Sequence, residues 1–120
     1  MERELEIETE PGYLEFLSNI QKACYEQAVK SGWTEKEVPI PEMIALIHSE
    51  ASEALEHFRL GNPISFTDND KPEGLASEFA DIIIRICHYS SLLGIDLTYE
   101  VNRKMAYNAT RPHRHGGKVI

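Results

Sequence analysis

Glu50-Ala-Ser-Glu53 and, after a gap of 24 residues, Glu78-Phe-Ala-Asp81 are two acidic pairs at i and i+3. On an α-helix such a pair points its two carboxylates the same way, about 60° apart around the axis. Like charges this close repel by roughly a few tenths of a kcal/mol on an exposed helix, and by more when a fold brings two pairs together. A hard divalent cation with oxygen ligands relieves that repulsion. Two such pairs on packed helices would surround Mg²⁺ and leave positions for water and for phosphate oxygens, which is the chemistry of phosphate transfer. A carboxylate not fully committed to the ion would accept a proton from the attacking water; Glu50 and Glu53 are the candidates. The bland alternative is a solvated acidic helix face, and a single Glu-x-x-Glu would carry no weight against it. A di-iron bundle would need Glu-x-x-His steps, but the residues three after Glu50, Glu53 and Glu78 are Glu53, Glu56 and Asp81. An all-oxygen set favours Mg²⁺, with Mn²⁺ as a substitute, over iron or zinc.

Helices must carry these pairs. Leu14, Leu17, Ile20, Cys24 and Ala28 recur at spacings of three and four, which predicts a first helix from about Tyr13 to Ser31 that Gly32 stops. Pro39 and Pro41 make the following stretch an extended linker. A second helix starts near Pro41 and runs through Met43, Ile44, Ile47, Ala51, Ala54, Leu55 and Phe58 to Gly61. Its apolar stripe centres near Ala51 and Phe58, so Glu50 falls at the margin and Glu53 farther round. His57, i+4 from Glu53, lies on the same side; helix-end carbonyls are its expected partners, with a metal or phosphate contact as the alternative.

Asn62 to Lys71 reads as a loop. Pro72 then suits the first turn of a third helix running to Gly94, with Leu75, Phe79, Ile82, Ile83, Ile86 and Leu93 inward. Apolar residues cover more than one stripe of this helix, which implies that another subunit covers part of it. Glu78 lies at its margin and Asp81 farther round, with Arg85 i+4 from Asp81. Asp96 caps a fourth helix from Leu97 to about Asn108, and Thr110 to Ile120 is irregular. No segment alternates with a strand's period, so the expectation is one all-α domain over 1–120, a four-helix bundle, with a polar leader over 1–12 and a basic tail over 109–120.

The 120 residues suffice for one core. Net charge is −8, yet all 20 acidic residues lie within 1–100, whereas 101–120 hold Arg103, Lys104, Arg111, Arg114 and Lys118 and no acid. Such a tail is either solvated or meets a polyanion beside the metal. Cys24 and Cys87 sit in apolar helical patterns without metal-type spacing, as buried free thiols of a reducing cytoplasm would. No secretory signal or membrane span is visible, and neither a membrane nor a nucleic-acid polymer is expected as a partner.

The residues around the acidic pairs match a known pattern. Leu46-Ile47-His48-Ser49-Glu50-Ala51-Ser52-Glu53-Ala54-Leu55-Glu56, then Glu78-Phe79-Ala80-Asp81-Ile82, resembles the signature of the MazG-like all-α nucleoside triphosphate pyrophosphohydrolases. That superfamily also includes dimeric dUTPases and phosphoribosyl-ATP pyrophosphohydrolases. The stretch Asn102 to Pro112, followed by His115-Gly116-Gly117-Lys118, is similar to the ending of small single-domain members. The resemblance implies that Glu50, Glu53, Glu78 and Asp81 bind Mg²⁺, while Lys104, with Asn102, Asn108 or Arg111, contacts phosphates. Some relatives carry Arg where Asn108 stands. It further implies hydrolysis of a nucleoside triphosphate to monophosphate and pyrophosphate, in a homodimer or homotetramer. A house-cleaning role in the nucleotide pool comes from the same analogy. A phosphoribosyl-ATP pyrophosphohydrolase and a non-catalytic nucleotide- or metal-binding module are the alternatives.

The base side is less defined. Phe16, at the edge of the first helix's stripe, either faces a cleft or packs on a neighbour. Gln21 meets a base or, as an amide nearer the stripe centre, a backbone group. Trp33, between a helix stop and the Pro-rich linker, is a pocket wall, a lid or a packing residue.

Overall fold

A computed structural model describes residues 12–119; the polar leader expected over 1–12 lies almost wholly outside them. The element order is α1 Gly12–Lys30, α2 Ile40–Arg59, β1 Phe66–Asp68, β2 Lys71–Glu73, α3 Leu75–Leu92, α4 Leu97–Ala109 and a single turn, α5, Arg114–Gly117. The chain is mostly helical, and its four long helices fall within a few residues of the expected ones.

The local signals explain why. Pro41 occupies the first turn of α2, where a missing N–H costs nothing. Asp96 caps α4 by accepting a hydrogen bond from the Tyr99 amide at 3.0 Å. The apolar stripe of α1 turns inward as its spacing implies, with Leu14, Leu17, Ile20 and Cys24 half-buried and Ala28 buried. Helix α3 is central, packing against both α2 and α1, while α4 packs on α1. Cys87 is fully buried on α3 and Cys24 is half-buried on α1, both as free thiols. Burial and the neighbouring Cys24 push the Cys87 thiol up to about 11, so it is inert at neutral pH.

Three expectations need correction. Residues 62–71 are not merely loop, and Pro72 does not begin α3. Phe66–Asp68 pairs antiparallel with Lys71–Glu73 in a hairpin whose two turn residues, Asn69 and Asp70, have φ of 48° and 65°. Asn and Asp tolerate that left-handed conformation, which suits the twist of a two-residue hairpin. Pro72 sits in the short second strand instead, and Gly74 becomes the N-cap of α3 at φ 103°. The tail is not wholly irregular either, since α5 closes one turn with positive φ at Arg114, Gly116 and Gly117.

The third correction concerns which way α2 faces. Its buried side is Met43, Glu50 and Ala54, flanked by half-buried Leu46, Ile47 and His57. Ala51 is exposed and Phe58 is 71% exposed, so the stripe centre lies roughly one residue step round from the expected one. The helix is apolar over two adjacent stripes, and a single chain uses one. The same holds on α3, where Ile82 and Ile86 are half-buried but Phe79, Ile83 and Leu93 are exposed. Between α2 and α3 an apolar groove of about 200 Å³ is lined by Met43, Ile44, Ile47, Ile86 and Leu93, among others.

Candidate metal centre

The turned α2 places Glu50 at the centre of its contact with α3, only 7% exposed, and Glu78 of α3 is 8% exposed. Glu50, Glu78 and Asp81 offer carboxylate oxygens that all lie within 4.8 Å of one another. Glu53 is exposed at the edge of this group, close enough for its carboxyl to act on both Glu50 and Glu78. The fold therefore brings together all four acidic residues that the spacing singled out.

Three acids packed this closely cannot all ionise cheaply. Burial, then the close Glu50 and Glu53 carboxyls and their charges, raises the Glu78 carboxyl from 4.5 to about 8. Burial also pushes Glu50 up, but the close Glu78 carboxyl, the hydrogen bond from Arg85 and the nearby Glu53 outweigh it and hold Glu50 below its ordinary value. Asp81 is raised by burial and by the charge of Glu50. At neutral pH Glu78 thus carries the proton, and Glu50 the charge.

Arg85 is the counter-ion. Its Nε donates to Glu50 Oε1 at 2.9 Å, and its Nη1 donates to the Tyr89 hydroxyl at 2.9 Å. The i+4 spacing from Asp81 placed Arg85 on the correct face, but only the packing of α2 on α3 reveals Glu50 as its partner. One guanidinium does not satisfy the group: Glu50 Oε2 and Glu78 Oε2 are buried and have no hydrogen-bond partner among the described residues. An orphaned buried carboxylate oxygen is costly. Two of them beside Asp81 and Glu53, all hard oxygen donors, fit a divalent cation of the Mg²⁺ type.

Neither a family model, nor a curated protein, nor a solved structure matches this chain.

Other expected site residues are placed differently. His57 does not turn to helix-end carbonyls; it is half-buried, with Nε2 3.6 Å from Glu78 Oε1 and 3.8 Å from Glu73 Oε2. Glu73, which no spacing argument singled out, arrives on β2 beside α3 and also pairs with Lys71 at 2.9 Å. Gln21 donates to Ser91 Oγ at 3.2 Å and to the Ile95 carbonyl at 3.0 Å, and its Oε1 accepts from the Leu97 amide at 3.3 Å. Its amide is thereby committed to the α3–α4 junction, as the backbone alternative required. Phe16 and Trp33 are 67% and 69% exposed, so packing within the chain does not account for either.

Among the described residues, no basic side chain after residue 101 forms an ion pair with the four carboxylates. Asn102 accepts from the Tyr13 hydroxyl at 3.2 Å, and α4 lies on α1. Lys104 and Arg111 stack on the Tyr107 ring at 5.5 and 5.7 Å, and Asn108 is exposed. Lys104 and Arg111 form no ion pair among the described residues, and their charges stay available to a polyanion. No helix among the described residues is long and apolar enough to cross a membrane.

Proposed function

We propose that this chain hydrolyses nucleoside triphosphates, deoxynucleotides or non-standard ones among them, to the monophosphate and pyrophosphate with Mg²⁺. The observation that carries this reading is the pair of orphaned, buried carboxylate oxygens on Glu50 and Glu78, set beside Asp81 and Glu53. The resemblance of both helices and of the tail to MazG-like pyrophosphohydrolases supports the same conclusion.

Glu50, Glu53, Glu78 and Asp81 would hold the cation, with Mn²⁺ as a substitute. When bound, it polarises a phosphoryl oxygen and lowers the pKa of a water molecule. Glu78 gives up its proton as the site fills, because a ligand must be ionised to bind. Arg85 keeps Glu50 oriented and charged throughout. Glu53, the most exposed of the four, is the carboxylate best placed to accept a proton from the attacking water. Lys104 and Arg111, with Asn102 and Asn108, neutralise the polyphosphate; Trp33 and Phe16 offer exposed rings on which a base stacks.

The exposed apolar stripes of α2 and α3 support assembly into a homodimer or homotetramer, which would bury Phe58, Phe79 and Ile83. A second copy also offers a route by which the basic tail reaches a neighbour's carboxylates.

Incubating the protein with a panel of nucleoside triphosphates and Mg²⁺ tests the reaction. Pyrophosphate and monophosphate are the expected products. Orthophosphate with a diphosphate would overturn the bond assignment, turnover of phosphoribosyl-ATP alone would redirect the substrate, and saturable binding without products would leave a nucleotide-binding module.

A further inference from the structure

Glu78 faces two ways. One side meets Glu50 and Asp81; the other meets His57 of α2 and Glu73 of the hairpin, and His57, Glu73 and Glu78 form a second set whose ligand atoms lie within 4.8 Å of one another. We propose that His57, Glu73 and Glu78 form a second cation site, selective for a first-row transition ion such as Mn²⁺, and that Glu78 bridges it to the four-carboxylate site.

The spacing leaves room for an ion. His57 Nε2 stands 3.6 Å from Glu78 Oε1 and 3.8 Å from Glu73 Oε2. Charge-assisted hydrogen bonds would draw these atoms to about 2.7–2.9 Å. Nitrogen and oxygen ligands about 2.1 Å from a shared ion are instead held roughly 3.0–3.4 Å apart. A contraction of a few tenths of an ångström thus closes the set on a cation. Glu78 adds a separate indication: it is 8% exposed, and while its Oε1 faces His57, its Oε2 has no partner. A bridging carboxylate uses one oxygen on each side.

The imidazole becomes a ligand once the Asn62 amide turns over. Its ring meets the edge of Phe66 at 78° with centroids 6.1 Å apart, and the Asn62 amide lies 3.0 Å from Nδ1. With the amide nitrogen toward Nδ1, the ring proton sits on Nε2. Turned over, the same amide accepts Nδ1–H and frees the Nε2 lone pair for an ion, the outer contact that metal-bound histidines keep. Lys71 engages Glu73 Oε1 and leaves Oε2 to the site. A nitrogen ligand shifts preference from Mg²⁺ toward Mn²⁺ and its neighbours. The second site rests on the proposed catalytic reading only through Glu78.

Mn²⁺ titrated into metal-free protein, counted by the loss of free-ion EPR signal and examined by electron spin-echo envelope modulation, decides it. Wild type should bind two ions per chain and show ¹⁴N modulation. His57→Ala should bind one and lose the modulation, with helical circular dichroism retained; His57→Gln serves if the alanine variant does not fold. Glu50→Gln should lose an ion and keep the ¹⁴N signal. Wild type without ¹⁴N modulation, or His57→Ala with unchanged stoichiometry, overturns the second site and leaves the first standing. Glu50→Gln with unchanged stoichiometry overturns the first while the ¹⁴N signal still answers for the second.

Discussion

Glu50 on α2 and Glu78 on α3 meet across the helix contact as an unequal pair, one held ionised by Arg85 and the other protonated, each keeping one carboxylate oxygen without a partner. That inequality, and the elements that enforce it, set how the protein responds to pH, to metal and to substitution.

Stability should depend on pH with an unusual sign. Between 4.5 and about 8 the folded chain holds on Glu78 a proton that the unfolded chain has released. Unfolding therefore becomes easier as pH rises through that window. Asp81, also raised, acts in the same direction, whereas the lowered Glu50 matters only in acid. The Tm of metal-free protein should fall by several degrees between about pH 6 and 9, at roughly 4 °C per kcal/mol. Saturating Mg²⁺ should flatten the slope by taking the proton's place. A metal-free Tm that climbs over this range would show Glu78 to be ionised.

Arg85→Met removes the partner of Glu50 Oε1 and leaves a buried carboxylate with neither of its oxygens satisfied by a cation. Metal-free protein should lose about 2 kcal/mol in urea unfolding, and Mg²⁺ should restore most of it. An equal loss with and without Mg²⁺ would mean that Arg85 supports the fold but not the carboxylate.

Glu53→Ala and Asp81→Ala act on the reaction more than on the fold. Each should cut turnover by more than the roughly 10–100-fold typical of outer-shell changes, with far-UV circular dichroism unchanged. Undiminished turnover in both would remove the carboxylates from the mechanism.

Gly74→Ala should be poorly tolerated. Gly74 has φ 103°, and a Cβ there would run into the Ile64 carbonyl oxygen, which also accepts the Ala76 amide at 3.0 Å. The expected cost exceeds about 1 kcal/mol, and the hairpin should loosen first, visible as faster hydrogen exchange over 62–74. Unchanged exchange would place the strain elsewhere.

Phe58→Glu and Ile83→Glu test the exposed stripes. Both side chains are more than half exposed in the single chain, so neither change should unfold it. If the proposed subunit contact forms there, sedimentation velocity should show the wild-type oligomer shifting toward monomer. An unaltered oligomer would put the subunit contact on another face, and a monomeric wild type would remove the proposed assembly.

Three of the four long helices are legible by their own punctuation, Gly32, Pro41 and Asp96, and α3 by its three- and four-residue apolar spacing up to Gly94. The acidic quartet is legible for the same reason, since i,i+3 spacing needs only a helix to have meaning. What depends on approach between elements is not. Glu50 looks marginal on a helical wheel because the apolar arc of α2 is wider than one chain buries, and the wheel averages the inner and outer stripes. Pro72 reads equally well as a helix start or a short strand; the choice falls to Asn69 and Asp70, whose left-handed turn folds β2 back on β1. Glu73 stands three residues after Asp70, but in a Pro-containing stretch that reads as turn rather than helix, so the hairpin alone reveals it. Arg85 shows its face but not its partner.

The hairpin that delivers Glu73 also divides the connection between α2 and α3 into parts of unequal tolerance. Its base is pinned by the Ala76 amide on Ile64 and by the close approach at Gly74, whereas Asn69 and Asp70 at its tip are exposed. Extra residues at the tip add length where little is packed, but one residue inserted after Glu73 would break the spacing between the hairpin and Glu78. The tip is accordingly the place for a fluorophore or epitope that reports on the carboxylate cluster without entering it.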